Sequence, residues 1–272
     1  MTDDVERLKL SRTSVADTAL RSIDEQGVAM TSLRGVAARM GYEPMSLYRY
    51  VANRDDLFDA VVDRVVDELD DDPAVRARPV HGWQDYLDRL ARGVRRYALA
   101  HPHAFPIVAT RPSQAPWINP PLRSLRWIES FIDGLAAEGF DDEKILVVYR
   151  SFNSFLLGFL LLETSTMTLA DPKPGDGALS ASPGGDVAAV ETAVPGALTP
   201  ARTRGEREAI AEAEAPHEQL DPLGGNVPAD EFPGVHRLAH GLSQDVWSAE
   251  FDSGLEELLD RIGRCRRSSG VR

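Results

Sequence analysis

TSLRGVAARMGYEPMSLYRYVANR, residues 31–54, decides the fold. Leu33, Val36, Ala37 and Met40 recur at the spacing of one helical face, and Gly41 stands where a left-handed residue ends a helix. A second helix, predicted from Pro44 to Val51, keeps Leu47 and Val51 for a core and leaves Met45, Ser46, Tyr48, Arg49 and Tyr50 on or near its outer side. Two helices joined by a glycine turn, the second narrowly apolar, read as a helix-turn-helix. The outward groups suit a duplex groove: Arg reaches guanine edges or phosphate, Ser and Tyr hydroxyls reach phosphate, and apolar atoms meet a thymine methyl. A plain helical core fragment shows the same glycine-joined helices and is the bland alternative.

Working outward, Asn53 is placed to cap a helix beginning near Arg54, with Asp56 three residues on as the reciprocal half of a capping box. Upstream, Val15 or Ala16, Ala19, Leu20 and Ile23 form one apolar face on a helix that Gly27 terminates. A compact head over residues 7–69 follows, its recognition helix backed by the first helix.

The charge distribution fits that head. The 272-residue chain carries a formal −13, yet eight Lys or Arg stand against four acids between residues 7 and 54, a net +4 that leaves −17 for the rest. A locally basic head on an acidic body avoids random duplex while keeping phosphate contacts. At 43% hydrophobic and 27% charged, the chain is long enough to bury a core of one large or two small domains.

Beyond the head the legible chain is helical. Trp83, Tyr86 or Leu87, Leu90, Val94 and Tyr97 share one face of a helix over 83–100, which His101 and Pro102 end. Residues 111–121 read as a Pro-rich turn or loop, 122–137 and 143–164 as two more helices, and 251–262 as a last one. The second of these is apolar on nearly every side from Phe152 onward and needs cover all round. Phe251, Leu255, Leu258, Leu259 and Ile262 give the last helix a matching stripe, packed either within the monomer or against a second copy. The body is expected over 80–264, interrupted over 171–230 by a long Pro-, Gly-, Ala- and acid-rich insertion read as flexible linker with one short helix around 204–215.

Other function classes find little support. His101 and His103 lack a nearby third ligand, and no Gly-rich phosphate loop, cysteine pair or nucleophile elbow occurs. Cys265 is the only cysteine, so no disulfide forms within the chain. The acidic start excludes an ordinary secretory signal, and the apolar run 152–162 is short of the about 20 residues a bilayer span needs, so it reads as a buried helix. A cytoplasmic protein without catalytic residues, cofactor or membrane contact is expected.

Thr31, Gly41, Leu47 and Tyr48, followed by Tyr50, Val51, Asn53, Arg54 and Leu57, resemble the DNA-binding head of the TetR family. Trp83, Arg95, Arg96, the Thr110-Arg111-Pro112 turn, the Glu138-Gly139-Phe140 helix end, the segment 155–158 and the last helix are similar to the tetracycline-repressor branch. The likeness covers most of residues 10–170 and 232–264. It implies an all-α homodimer that represses transcription from a palindromic double-stranded DNA operator until a small-molecule effector inside the body moves the heads apart. The alternative is a ligand-binding or scaffold protein of the same fold without DNA binding. The DNA-facing set is then Ser32, Arg34, Glu43, Pro44, Met45, Ser46, Tyr48, Arg49, Tyr50 and Arg54, and the effector walls are Ile107, Arg111, Trp117, Trp127, Phe152, Phe155 and Phe159. Two departures from the tetracycline repressor carry meaning. Ile107 occupies the position of its magnesium-binding His, so no metal is expected in the site. Pro44 stands one residue earlier than that repressor's proline, Arg49 replaces its Trp and Tyr50 its His, so a different operator is expected.

Overall fold

A computed structural model describes residues 9–73, 75, 79, 81–111, 118, 124–174 and 230–267. Among the described residues there are ten helices and no strand: α1 (Arg12–Gln26), α2 (Leu33–Met40), α3 (Pro44–Leu47), α4 (Arg54–Asp71), α5 (Trp83–Ala100), α6 (Phe105–Thr110), α7 (Leu125–Ala137), α8 (Asp142–Ala170), α9 (Pro233–Leu242) and α10 (Trp247–Arg267). The fold is all-α. Contacts divide the chain into one unit of residues 1–182 with 247–272 and a second unit of 183–246, which holds α9. The predicted short helix around 204–215 lies outside the described residues.

Local chemistry sets the helix ends of the head. Ser11 and Ser14 close a capping box at the start of α1, and Gly27 ends that helix at φ 81°. Ser32 Oγ accepts from the Gly35 amide to start α2, and Gly41 at φ 73° ends it in the left-handed conformation. Asn53 caps α4 through the Asp56 amide. The reciprocal bond differs from expectation: Asp56 Oδ2 accepts from the Ala52 amide at 2.7 Å, and its Oδ1 binds Arg12 at 2.7 Å, tying α1 to α4. Val15, Ala19, Ile23, Val36, Ala37, Leu47, Val51, Leu57 and Val61 are buried together behind the recognition segment.

The second helix of the motif is shorter than predicted. It runs only from Pro44 to Leu47, after which Tyr50 bonds back to the Leu47 carbonyl at 2.8 Å in a tight turn. The Val51 amide bonds to the same Leu47 carbonyl at 3.0 Å, so the chain closes one further turn before Asn53 opens the next helix.

In the body α8 is the central element, packed against α5, α6, α7 and α10. At 29 residues it is longer than the predicted 143–164, and by length and apolar composition alone it would suffice to cross a membrane. Ile145, Val148, Phe152, Leu156 and Leu160 are instead buried in the body core. The α10 stripe is covered within the chain: Phe251, Leu255, Leu258 and Ile262 are all buried. Gly254 allows this closeness, since a Cβ there would stand 2.8 Å from the Phe155 ring. Two helices escaped the periodicity reading, α6 and α9, both short with Pro in the first turn.

Candidate nucleic-acid interface and ligand cavity

The α3 segment presents the side chains that the sequence assigned to a groove. Met45 is 75% exposed and Tyr48 49%, unusual for large apolar and aromatic groups on a helix whose Leu47 is fully buried. Glu43 and Arg49 are exposed, and Pro44, Ser46 and Tyr50 half-buried. The Arg49 guanidinium lies 5.9 Å from the Tyr50 ring centre. On α2, Ser32 and Arg34 are exposed, although the Ser32 hydroxyl oxygen is engaged as a helix cap.

The cations of the head divide by what they already hold. Arg12 pairs with Asp56, Arg39 with Glu25 and Arg64 with Asp17. Arg54, assigned from sequence to phosphate, has a structural engagement that the sequence did not reveal. Its guanidinium donates to the carbonyls of Val28 at 2.7 Å and Thr31 at 3.2 Å, and stacks 4.8 Å over Phe58. A guanidinium forms such a clamp because its planar fork offers several donors at once. Arg34 and Arg49 have no acid partner among the described residues, which leaves both free for phosphate or base edges.

Helix α4 runs from the head into the body, and there it forms one wall of a cavity of about 70 Å3. Val62, Val65, Val66 and Leu69 of α4 face Leu90, Val94 and Tyr97 of α5, Phe105 and Val108 of α6, Ser124 and Trp127 at the start of α7, and Phe152, Asn153, Leu156 and Leu157 of α8. Of the residues assigned to effector walls, Trp127 and Phe152 line this cavity. Ile107 is buried but does not line it. Phe155 and Phe159 turn to α10, where their rings stand 6.0 and 5.4 Å from Phe251 and Phe159 meets Trp247 edge-on at 5.4 Å. Trp117 lies outside the described residues.

Arg111 points to the head, not into the cavity. Its Nε donates to Asp59 at 2.8 Å and its Nη2 to the Asp55 carbonyl at 2.7 Å, so it ties the end of α6 to the start of α4. Sequence spacing placed it near the aromatics but could not show that two carboxylates of another helix claim it. The α4 wall was missed for a related reason. Its Val61 serves the head, and the adjoining stripe Val62, Val65, Val66 and Leu69 looks like a broad core face until the body is in place.

A second tie between head and body runs through His101 at the end of α5. Its Nδ1 lies 2.8 Å from Asp24 Oδ2 on α1, and its ring stacks on Tyr97 with centroids 4.6 Å apart. The Asp24 hydrogen bond raises the His101 pKa above the ordinary 6.5, against the opposing effect of burial, and the negative charges of Asp24 and Glu68 add to the rise. Beside this pair, Asp24 Oδ1 and Tyr97 Oη are enclosed without a hydrogen-bond partner among the described residues. Burial pushes the Tyr97 phenol far above its usual range. No group of three or more His, Cys, Asp or Glu suited to a metal ion occurs among the described residues.

Comparison with known proteins matches both halves of this arrangement. Residues 15–61 match the family model for bacterial regulatory proteins of the tetR family, and residues 87–181 match the tetracyclin repressor-like C-terminal domain. A Mycobacterium tuberculosis HTH-type transcriptional regulator is 31% identical over 161 residues, 57% of this chain and 71% of the relative. The chain belongs to the TetR family. An HTH-type transcriptional regulator of Saccharopolyspora erythraea is 29% identical over 155 residues, 57% of this chain and 61% of that relative, so the chain spans about three fifths of its length. Among solved structures, a possible TetR family transcriptional regulator from Streptomyces coelicolor A3(2) superposes with a TM-score of 0.61 at 25% identity, covering 94% of this chain and all of the other.

Proposed function

We propose that this TetR-family chain is a homodimeric transcriptional repressor, acting in the cytoplasm, that leaves its DNA operator when a mostly apolar small molecule enters the body. The observation that carries the reading is the double duty of α4: Leu57, Phe58 and Val61 are core of the head, and Val62, Val66 and Leu69 further along the same helix wall the cavity. A molecule that wedges α4 away from Trp127 and Phe105 moves the head with it. Pockets for drug-sized ligands run to about 300–1,000 Å3, so a 70 Å3 cavity must open to take one, and opening displaces its walls. A ligand shifts the heads only by its differential affinity for the released state, and a hundredfold release needs about 2.7 kcal/mol of coupling.

The dimer face belongs to α8. Leu146, Val147, Leu162 and Leu169 remain exposed there, and Gly158 has no atom within 4 Å of where a Cβ would stand, leaving room for a second helix to approach closely. A dimer also supplies the second recognition segment, since half-sites of such readers repeat about 34 Å apart.

The test combines DNA selection with release. Purified protein should recover a palindromic sequence from a random pool, and a ligand found by thermal shift should release it. Val94→Phe, which fills the cavity, should abolish ligand release while operator affinity stays within twofold. Recovery of no sequence by the wild-type dimer would favour a ligand-binding protein without DNA activity.

A further inference from the structure

Asn153 breaks an otherwise apolar wall. It lies on the buried side of α8, 4% exposed, between Phe152 and Leu156, and lines the cavity opposite Val94 and Leu90. A leucine would fill that position with less cost, because an amide moved out of water must find partners for two donors and two acceptor lone pairs. One donor is satisfied: Nδ2 bonds to the Tyr149 carbonyl at 2.8 Å. That bond fixes the orientation of the amide. A backbone carbonyl only accepts, so nitrogen must face the helix backbone and Oδ1 is turned away from it. Oδ1 accepts no hydrogen bond among the described residues, yet it is not one of the fully enclosed unpartnered atoms, which are Asp24 Oδ1 and Tyr97 Oη.

Among the described residues no charged side chain lines the cavity, and its other described polar members are directed elsewhere. Ser124 Oγ accepts from the Trp127 amide. The Tyr97 phenol responds to Glu68, Asp24, Arg64 and Asp17 and so belongs with the charged groups between α1, α4 and α5.

We infer that Asn153 is the specificity-determining residue of the cavity and that it selects a neutral, mostly aromatic ligand carrying one hydrogen-bond donor, of the phenol class, whose hydroxyl binds Asn153 Oδ1. A charged ligand finds no counter-ion among the described residues of these walls. A ligand without the donor leaves Oδ1 shut in an apolar site, and sites built around one hydrogen bond reject the analogue that lacks it far more strongly than apolar sites reject an extra methylene. The inference rests on the cavity being the effector site.

Three probes separate the two. 2-Naphthol, its methyl ether 2-methoxynaphthalene, and naphthalene share a ring system, and only the first can donate. Titration calorimetry on the full chain should show wild type binding 2-naphthol at least tenfold more tightly than either of the others. In Asn153→Leu the preference should vanish or reverse, with naphthalene binding retained. Asn153→Ala, which removes the same acceptor without demanding space, reports the same loss of preference should the Leu variant not fold. Equal binding of all three probes by wild type overturns the role of Asn153 and leaves the cavity reading standing. Unchanged preference in the folded variants does the same. Probe binding by wild type that persists unchanged in the cavity-filling Val94→Phe overturns the cavity reading and the role of Asn153 with it, and no binding of any probe by wild type overturns the phenol class assigned here.

Discussion

Arg34 and Arg49 flank the recognition turn with no carboxylate partner among the described residues, and their loss should be felt in DNA binding and almost nowhere else. Arg49→Ala is expected to cost about 1–3 kcal/mol of specific binding if the side chain reads a guanine edge, with little change on unrelated duplex. Competitive binding against the selected operator and a scrambled duplex checks this, and equal losses on both would assign Arg49 to phosphate. Arg54→Ala belongs to another class. Its guanidinium holds two carbonyls of the loop after α1, at 2.7 and 3.2 Å, and covers Phe58. Charged hydrogen bonds of this kind are worth about 1.5–3 kcal/mol each, so urea unfolding should report a loss of stability of that order. This division was invisible in the sequence, where both arginines sit beside the same motif. The acceptors of Arg54 lie 23 and 26 residues upstream, and only the folded loop brings them within reach.

At the scale of elements, helix type and order were legible because apolar periodicity runs through α1, α2, α4, α5 and α8, with glycine stops at α1 and α2 and a side-chain cap at α4 in agreement. What periodicity cannot decide is which apolar face meets which. The stripe on α10 reads from sequence as ready for a second copy, yet the chain covers it with α8 and α5, and the Phe155 ring rests against Gly254. An aspartate at Leu255, 1% exposed, would therefore unfold the body before it could report on dimerisation. The outer face of α8 offers a cleaner probe. Gly158→Lys places a charged side chain where nothing stands within 4 Å, and it should not harm the monomer, since a mid-helix glycine costs about 0.5–1 kcal/mol relative to alanine. Sedimentation should show Gly158→Lys as a folded monomer with its melting temperature in dilute solution otherwise preserved, and with operator binding lost. A variant that still sediments as a dimer moves the interface away from this face of α8.

At the scale of the molecule, head and body are joined by a few polar ties around α4, and one of them titrates. Asp24 holds His101, and the hydrogen bond raises the imidazole pKa above 6.5. A group whose folded pKa is raised stabilises the fold fully below its unfolded value and loses that contribution as pH climbs through the folded value. The docking of α1 on the end of α5 should therefore weaken as pH rises from about 6.5 upward. The surrounding charges sharpen the effect: Glu68 adds to the field of Asp24, while Arg64, paired with Asp17, offsets part of it next to the Tyr97 hydroxyl. Replacing His101 by Asn keeps a donor toward Asp24 but removes the proton equilibrium. Thermal unfolding across this pH range should show wild type losing stability relative to His101→Asn as pH rises, with the two curves parallel below 6. The adjacent Tyr97→Phe variant should behave differently. Its hydroxyl is enclosed without a partner, so removal should leave stability unchanged or raise it by about 1 kcal/mol at every pH. Ligand response gives the second reading of the same contact. Because Tyr97 lines the cavity on one side and stacks on His101 on the other, a ligand that shifts its ring also loosens the hold on Asp24. Operator release by the same ligand should then need less ligand at pH 8 than at pH 6 in wild type, and show no such dependence in His101→Asn. A wild-type release curve that does not move with pH would separate this contact from signalling and leave α4, with its Arg111 tie to α6, as the link between cavity and head.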